Sequence, residues 1–106
     1  MIDKVSSWKF AEDFATEPEH IKQARFRAEE LGVETITPAT GAQLAFIVSA
    51  IGAKTAVEAG TGAGVSSLWL LEGSENLILT TIDSEPEYQN VAKQTFQEAG
   101  LDSSRV

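Results

Sequence analysis

Val57-Glu58-Ala59-Gly60-Thr61-Gly62-Ala63-Gly64-Val65-Ser66 is the stretch that decides how the rest of the chain is read. Ahead of it, Thr55, Ala56 and Val57 form a short, mostly apolar run suited to a buried strand, and residues 65–71 behind it read as a helix. Alternating glycines separate the two. Glycine reaches positive φ without a Cβ penalty and lets another group come close to the main chain, so the spacing predicts a sharp turn with room for a small ligand. The amides of the next helix's first turn then point into that room.

Downstream, residues 77–82 (Leu-Ile-Leu-Thr-Thr-Ile) predict a second strand ended by Asp83. The intervening helix makes a right-handed β-α-β unit with parallel strands. Residues 86–99 predict a helix with Tyr88, Val91, Ala92, Phe96 and Ala99 inward and Gly100 as its stop; residues 102–106 read as the loop into a third strand. Upstream, Leu44, Ile47, Val48 and Ile51 fall at i, i+3, i+4 and i+7, which predicts a core-facing helix to about Gly52, entered through Thr37-Pro38-Ala39-Thr40-Gly41. Thr16 is the expected N-cap of an earlier helix, with Pro18 near its first turn, Ile21, Ala24, Ala28 and Leu31 on one face and Gly32 at its end. So thin a stripe suits a helix that covers an active site or meets another subunit. Residues 3–15, with Val5, Trp8, Phe10 and Phe14, predict a short packing helix, and Lys22, Arg25 and Arg27 read as a solvated face beside Glu29 and Glu30.

The chain of 106 residues is one small domain, and it contains no cysteine, which excludes disulfides and thiolate metal sites and fits a cytoplasmic setting. No apolar run is long enough to span a bilayer, and the first residues lack a signal-peptide layout, so neither a membrane nor export is expected. Sixteen acids against eight bases, a net charge of −8, disfavour nucleic acid as a partner. His20 has no second His or Cys to form a metal cluster, and Trp8 and Trp69 read as packing residues. A sheet normally needs three or more strands. The expectation is an N-terminal portion of a larger α/β domain, a truncated or cleaved fragment, or a chain whose sheet other chains complete.

Glycine-rich strand-to-helix turns serve three ligand classes. A P-loop needs lysine and a hydroxyl residue after its last glycine, whereas Val65 and Ser66 follow Gly64 here. A dinucleotide site needs Gly-x-Gly-x-x-Gly with an acid about 20 residues on; Gly60, Gly62 and Gly64 fall one residue short, although Asp83 is suitably placed. The third class is S-adenosylmethionine. A carboxylate at Glu58 repels a pyrophosphate but welcomes a sulfonium and an ammonium. Glu58 also has a plainer reading as a strand-end acid paired to Lys54, and Asp83 one as a helix cap.

At this point the chain resembles the class I methyltransferases: Glu58, Gly60, Gly62 and Gly64 match their acid-x-Gly-x-Gly-x-Gly turn, and Asp83 their second acid. More narrowly, residues 57–67, 79–88 and 99–101, with Gln43 opening a helix after residues 37–42, look like the caffeoyl-CoA and catechol O-methyltransferase family. Gly62 stands where that family commonly has an aromatic, and Gly41 and Ala42 replace its usual acid and glycine. The resemblance implies an incomplete Rossmann-like α/β fold, with helices over residues 1–35 and a cofactor-binding β-α-β-α unit over 36–106. It implies an O-methyltransferase acting on a small, catechol-like hydroxyl, with Glu58, Gly60, Thr61, Gly62 and Gly64 holding the methionine portion of S-adenosyl-L-methionine and Asp83 its ribose. Ser66 would reach the methionine carboxylate or merely start the helix, residues 37–40, including Thr37 and Thr40, would run beside the cofactor, and Tyr88 is core or a neighbour of the adenine. A divalent cation such as Mg²⁺ would be bound, and the catalysis done, by residues this chain does not contain; a homodimer is expected. The alternatives are an NAD(P)-dependent oxidoreductase and a non-catalytic nucleotide-binding domain.

Overall fold

The computed structural model describes residues 3–106. Five helices and two strands follow one another as α1 (Lys4–Phe14), α2 (Glu19–Leu31), α3 (Pro38–Ile51), β1 (Thr55–Ala59), α4 (Val65–Glu72), β2 (Ile78–Ile82) and α5 (Pro86–Glu98). The strands are parallel, in the register Thr55↔Ile78 to Ala59↔Ile82, and α4 makes the crossover between them. None of the described helices is long and apolar enough to cross a membrane.

Glycine and hydroxyl chemistry set most boundaries. Gly32 and Gly52 end α2 and α3 in the left-handed region at φ 70° and 60°. Gly100 follows α5 at φ 74° and its N–H donates to the Gln97 carbonyl. Thr37 caps α3 by accepting from the Thr40 N–H, with Pro38 in the first turn where it forfeits no bond. The start of α2 differs from expectation: its N-cap is Pro18, and Thr16 lies outside the helix. Proline cannot offer a side-chain acceptor, and the Pro18 carbonyl instead takes the Ile21 and Lys22 amides.

The interior has two apolar clusters. Ile21 and Ala24 of α2 join Val65, Leu68 and Trp69 of α4 and Ala92 and Phe96 of α5; Val48, Leu71, Leu77 and Leu79 form the second beside the sheet. So α2 is a central element, contrary to its thin stripe. Ile21, Ala24 and Ala28 are completely buried because small residues let α2 lie close against α4 and α5. Arg25 and Arg27 leave the solvated face that was expected. Arg27 reaches Thr95 at 2.9 Å and pairs with Glu98, fastening α2 to α5.

The inward face of α3 also differs: Gly41 and Val48 are buried, while Ile47 and Ile51 are 44% and 72% exposed. Large residues set the sequence periodicity, but small ones set the contact. A Cβ on Gly41 would lie 2.3 Å from the Trp69 indole. Gly41→Ala is therefore expected to destabilise by about 1–3 kcal/mol through overpacking despite alanine's better helix propensity. Urea unfolding measures this, and a stabilised variant would refute the contact.

Nor is β1 buried on both faces, since Val57 is 74% exposed. Helix α4 covers one side of the pair, to which Ala56, Glu58 and Leu79 point. In place of the anticipated third strand, residues 102–106 lie beside β2. The Arg105 carbonyl accepts from the Leu79 N–H at 2.8 Å, and its guanidinium donates to the Ser74 carbonyl at 2.6 Å.

Candidate functional site

The turn between β1 and α4 has the three expected positive-φ glycines, Gly60 at 98°, Gly62 at 52° and Gly64 at 95°. They do different work. The Gly60 N–H continues the ladder to the Ile82 carbonyl at 2.7 Å, carrying the turn just past the end of the sheet. The Gly62 N–H donates to Asp83 Oδ2 at 3.0 Å, tying the first strand's turn to the end of the second. Gly64 is a packing residue. A Cβ there would sit 2.8 Å from the Phe96 ring, so its bareness lets α5 close against the start of α4.

A cavity of about 280 Å³ opens over this turn. Of the residues expected there, Gly60, Thr61, Gly62, Ser66 and Asp83 line it; Tyr88 does too. Thr37 and Thr40 do not. Their hydroxyls are committed to each other and to the α3 cap, and the opposite wall is made by residues 33–36 instead. Glu58 and Gly64 also stand outside the lining.

Glu58 lies behind the cavity, held by three hydroxyls. Ser66 Oγ donates to its Oε2 and Ser67 Oγ to its Oε1, both at 2.5 Å, and Thr81 Oγ1 donates to Oε1 at 2.7 Å. Thr81 having spent its hydrogen on Glu58, Thr61 is the donor in their 2.8 Å contact, which completes a chain from cavity wall to carboxylate. The expected pairing with Lys54 is not among the ion pairs of the described residues. Ser66 has a single O–H, so while it donates to Glu58 it cannot also donate to a ligand's carboxylate. Ser67 and Thr81 escaped the sequence reading. The available signal was the parallel register, which sets Thr81 opposite Glu58.

Asp83 is held from both sides, with Oδ1 accepting the Glu85 N–H at 2.9 Å and Oδ2 the Gly62 N–H at 3.0 Å. A carboxylate has about four acceptor sites, so two remain for a ligand. These backbone donors, Glu85 first and Gly62 next, hold the Asp83 carboxyl below its ordinary pKa. A carboxyl lowered on folding stabilises the native state above its unfolded value, about 3.9, and that contribution is lost as pH falls through the lower folded value. Acid should thus loosen the turn, and Asp83→Asn should flatten this part of the decline in urea midpoint between pH 5 and pH 2. An identical decline in both proteins would rule the linkage out.

The charged residues of the lining, Glu34 and Asp83, are both acids, with Glu58 just behind. Such a site suits a cationic ligand. Among the described residues no three of His, Cys, Asp and Glu come together in a way that could hold a metal ion, so no step is assigned to one here.

Similarity to known proteins agrees with this geometry. A relative from Mycobacterium ulcerans, provisionally named an O-methyltransferase, is 52% identical over 97 residues, covering 91% of this chain and 43% of its own length. One from Mycobacterium leprae, named likewise, is 50% identical over 102 residues, covering 95% and 46%. The chain thus spans under half the length of these relatives. Among solved structures, a Corynebacterium glutamicum protein superimposes with a TM-score of 0.83 at 31% identity, over 98% of this chain and 50% of that one. The Bacillus cereus O-methyltransferase in complex with SAH has the same fold, with a TM-score of 0.79 at 19% identity over 92% and 46%. The architecture is thus an incomplete Rossmann-like methyltransferase fold. Because the O-methyltransferase family's sequence model matches residues 12–105, nearly the whole length, the chain belongs to that family.

Proposed function

We propose that this chain is the cofactor-binding portion of an S-adenosyl-L-methionine-dependent O-methyltransferase that methylates a hydroxyl of a small molecule, catechol-like in class. The observation that carries the reading is the Asp83 carboxylate, fixed by two backbone amides at the mouth of an acidic cavity with two acceptor sites left over. A ribose diol offers two donors at matching spacing. Gly60 and Gly62 leave the backbone bare where the methionine portion would pass, and Glu58, behind Ser66, adds negative charge on the sulfonium side. Bound there, S-adenosylmethionine would supply an electrophilic methyl group; the residues of this chain orient it. The first turn of α4 offers amides for the methionine carboxylate.

The same acids argue against NAD(P), whose pyrophosphate no lysine or arginine of the lining would neutralise. In this reading residues 1–35 are accessory helices and 36–106 the binding unit, except that the wall at 33–36 belongs with the latter. A cation, if the whole enzyme uses one, would be held by residues beyond this chain, as would the acceptor. A homodimer in the cytoplasm, without nucleic acid or membrane, completes the proposal.

Calorimetric titration with S-adenosylmethionine, S-adenosylhomocysteine and NAD tests it. Saturable binding of the first two is expected. NAD binding in the absence of either would overturn the reading.

A further inference from the structure

Residues 33–36 belong to neither helix nor strand, yet they make one wall of the cavity. Something else must hold them. Glu17, with its side chain 5% exposed, accepts from Arg25 in a bidentate pair, Nε to Oε1 at 2.9 Å and Nη2 to Oε2 at 2.8 Å. That fork leaves Nη1 aimed at the wall, where it donates to Thr35 Oγ1 at 2.7 Å and to the Ile36 carbonyl at 2.6 Å. On the far side Val33 leans on the glycine turn, its Cγ1 3.3 Å from where a Cβ on Gly62 would be. The wall is thus pinned between an arginine on α2 and the turn that carries the site.

We propose that Arg25 is a positioning residue for the cofactor cavity, with Glu17 as the group that aims it. The proposal rests on the cofactor assignment above. Its physical basis is the planar guanidinium, which can satisfy a carboxylate with two donors while presenting a third nitrogen in a fixed direction; a lysine ammonium keeps the charge and loses the direction. A loop without ladder bonds samples many conformations unless tethered. Releasing the tether lowers the fraction of molecules whose wall is ready to receive a ligand, and apparent affinity falls by that fraction. The sequence places no other donor of this reach near the loop: Lys22 on the same helix is exposed, and Arg27 is committed to Thr95 and Glu98.

Two variants separate positioning from simple stabilisation. Arg25→Lys keeps a positive charge beside Glu17 but gives up the fork. Thr35→Val is nearly isosteric, leaves the Glu17–Arg25 pair intact and removes one tether. Both are measured where circular dichroism shows them folded, by amide hydrogen exchange at residues 34–36 and by calorimetry with S-adenosylmethionine. Arg25→Lys should exchange faster at those amides and bind about tenfold more weakly if the wall is then in place a tenth of the time, with Thr35→Val shifted the same way by about threefold. Exchange at residues 60–64 should stay close to the unsubstituted protein. Unchanged exchange at 34–36 in both folded variants would overturn the proposal, as would unchanged affinity alongside faster exchange. Should the unsubstituted protein take up no S-adenosylmethionine, the cofactor assignment falls, and the exchange measurement by itself still decides whether Arg25 holds the wall.

Discussion

Gly64→Val is expected to lower the free energy of unfolding by about 2–5 kcal/mol, from two separate causes. Gly64 sits at φ 95°, a conformation that costs an L-residue about 1–2 kcal/mol and a β-branched one at least that. Its new Cβ would also lie 2.8 Å from Phe96 Cε1 and 3.2 Å from Cζ, and moving a ring that is part of the core adds about 1–3 kcal/mol. Gly60→Ala serves as the comparison. Gly60 has nearly the same φ, 98°, but nothing stands within 4 Å of its Cβ direction, so only the backbone cost of about 1–2 kcal/mol applies. Chemical denaturation of both variants reads the difference. If Gly64→Val is no worse than Gly60→Ala, the close approach of α5 to the turn is misplaced.

This separation of roles among the glycines marks the limit of what spacing can say. The turn, both strands, α4 and the acid at each strand end were legible because each signal is local: glycines next to one another, a hydrophobic run, a capping acid. Tertiary choices were not. The face of α3 was misread because Leu44, Ile47 and Ile51 dominate its periodicity, while close contact with Trp69 demanded the smallest residue available, Gly41. Arg25 and Arg27 looked solvated because their partners lie 8 to 11 and 68 to 71 residues away in the chain. The far wall of the cavity was expected at residues 37–40 and is found at 33–36, since Thr37 and Thr40 are occupied in capping a helix.

Glu58 shows how the plain and the functional readings can coexist. Its three hydroxyl donors make it a clamp between the end of β1, the start of α4 and β2, which is structural work. A carboxylate has room for about four such bonds, and the one site left is on Oε2, the oxygen already shared with the cavity-lining Ser66. Ser66 accordingly relays charge from the buried acid toward the ligand while its own hydrogen stays engaged.

Asp83→Ala should have the largest effect on cofactor binding. Removing two hydrogen bonds to a charged acceptor, each worth about 1.5–3 kcal/mol, corresponds to a loss of roughly 10²- to 10⁴-fold in affinity for S-adenosylmethionine. Alanine also frees the Gly62 and Glu85 amides, so the turn loosens just where the ligand would meet it. Asp83→Asn should fall between, because an amide oxygen can accept while its NH₂ faces one of the two backbone donors. Loss of turn geometry can be told from loss of ribose contacts with a cofactor analogue that lacks one ribose hydroxyl. In the unsubstituted protein the analogue should bind more weakly than the parent; in Asp83→Ala the two should bind alike, because the partner of that hydroxyl is gone. A penalty for the missing hydroxyl that persists undiminished in Asp83→Ala would place the ribose elsewhere, and the acid ending β2 would revert to a cap for the loop that follows it.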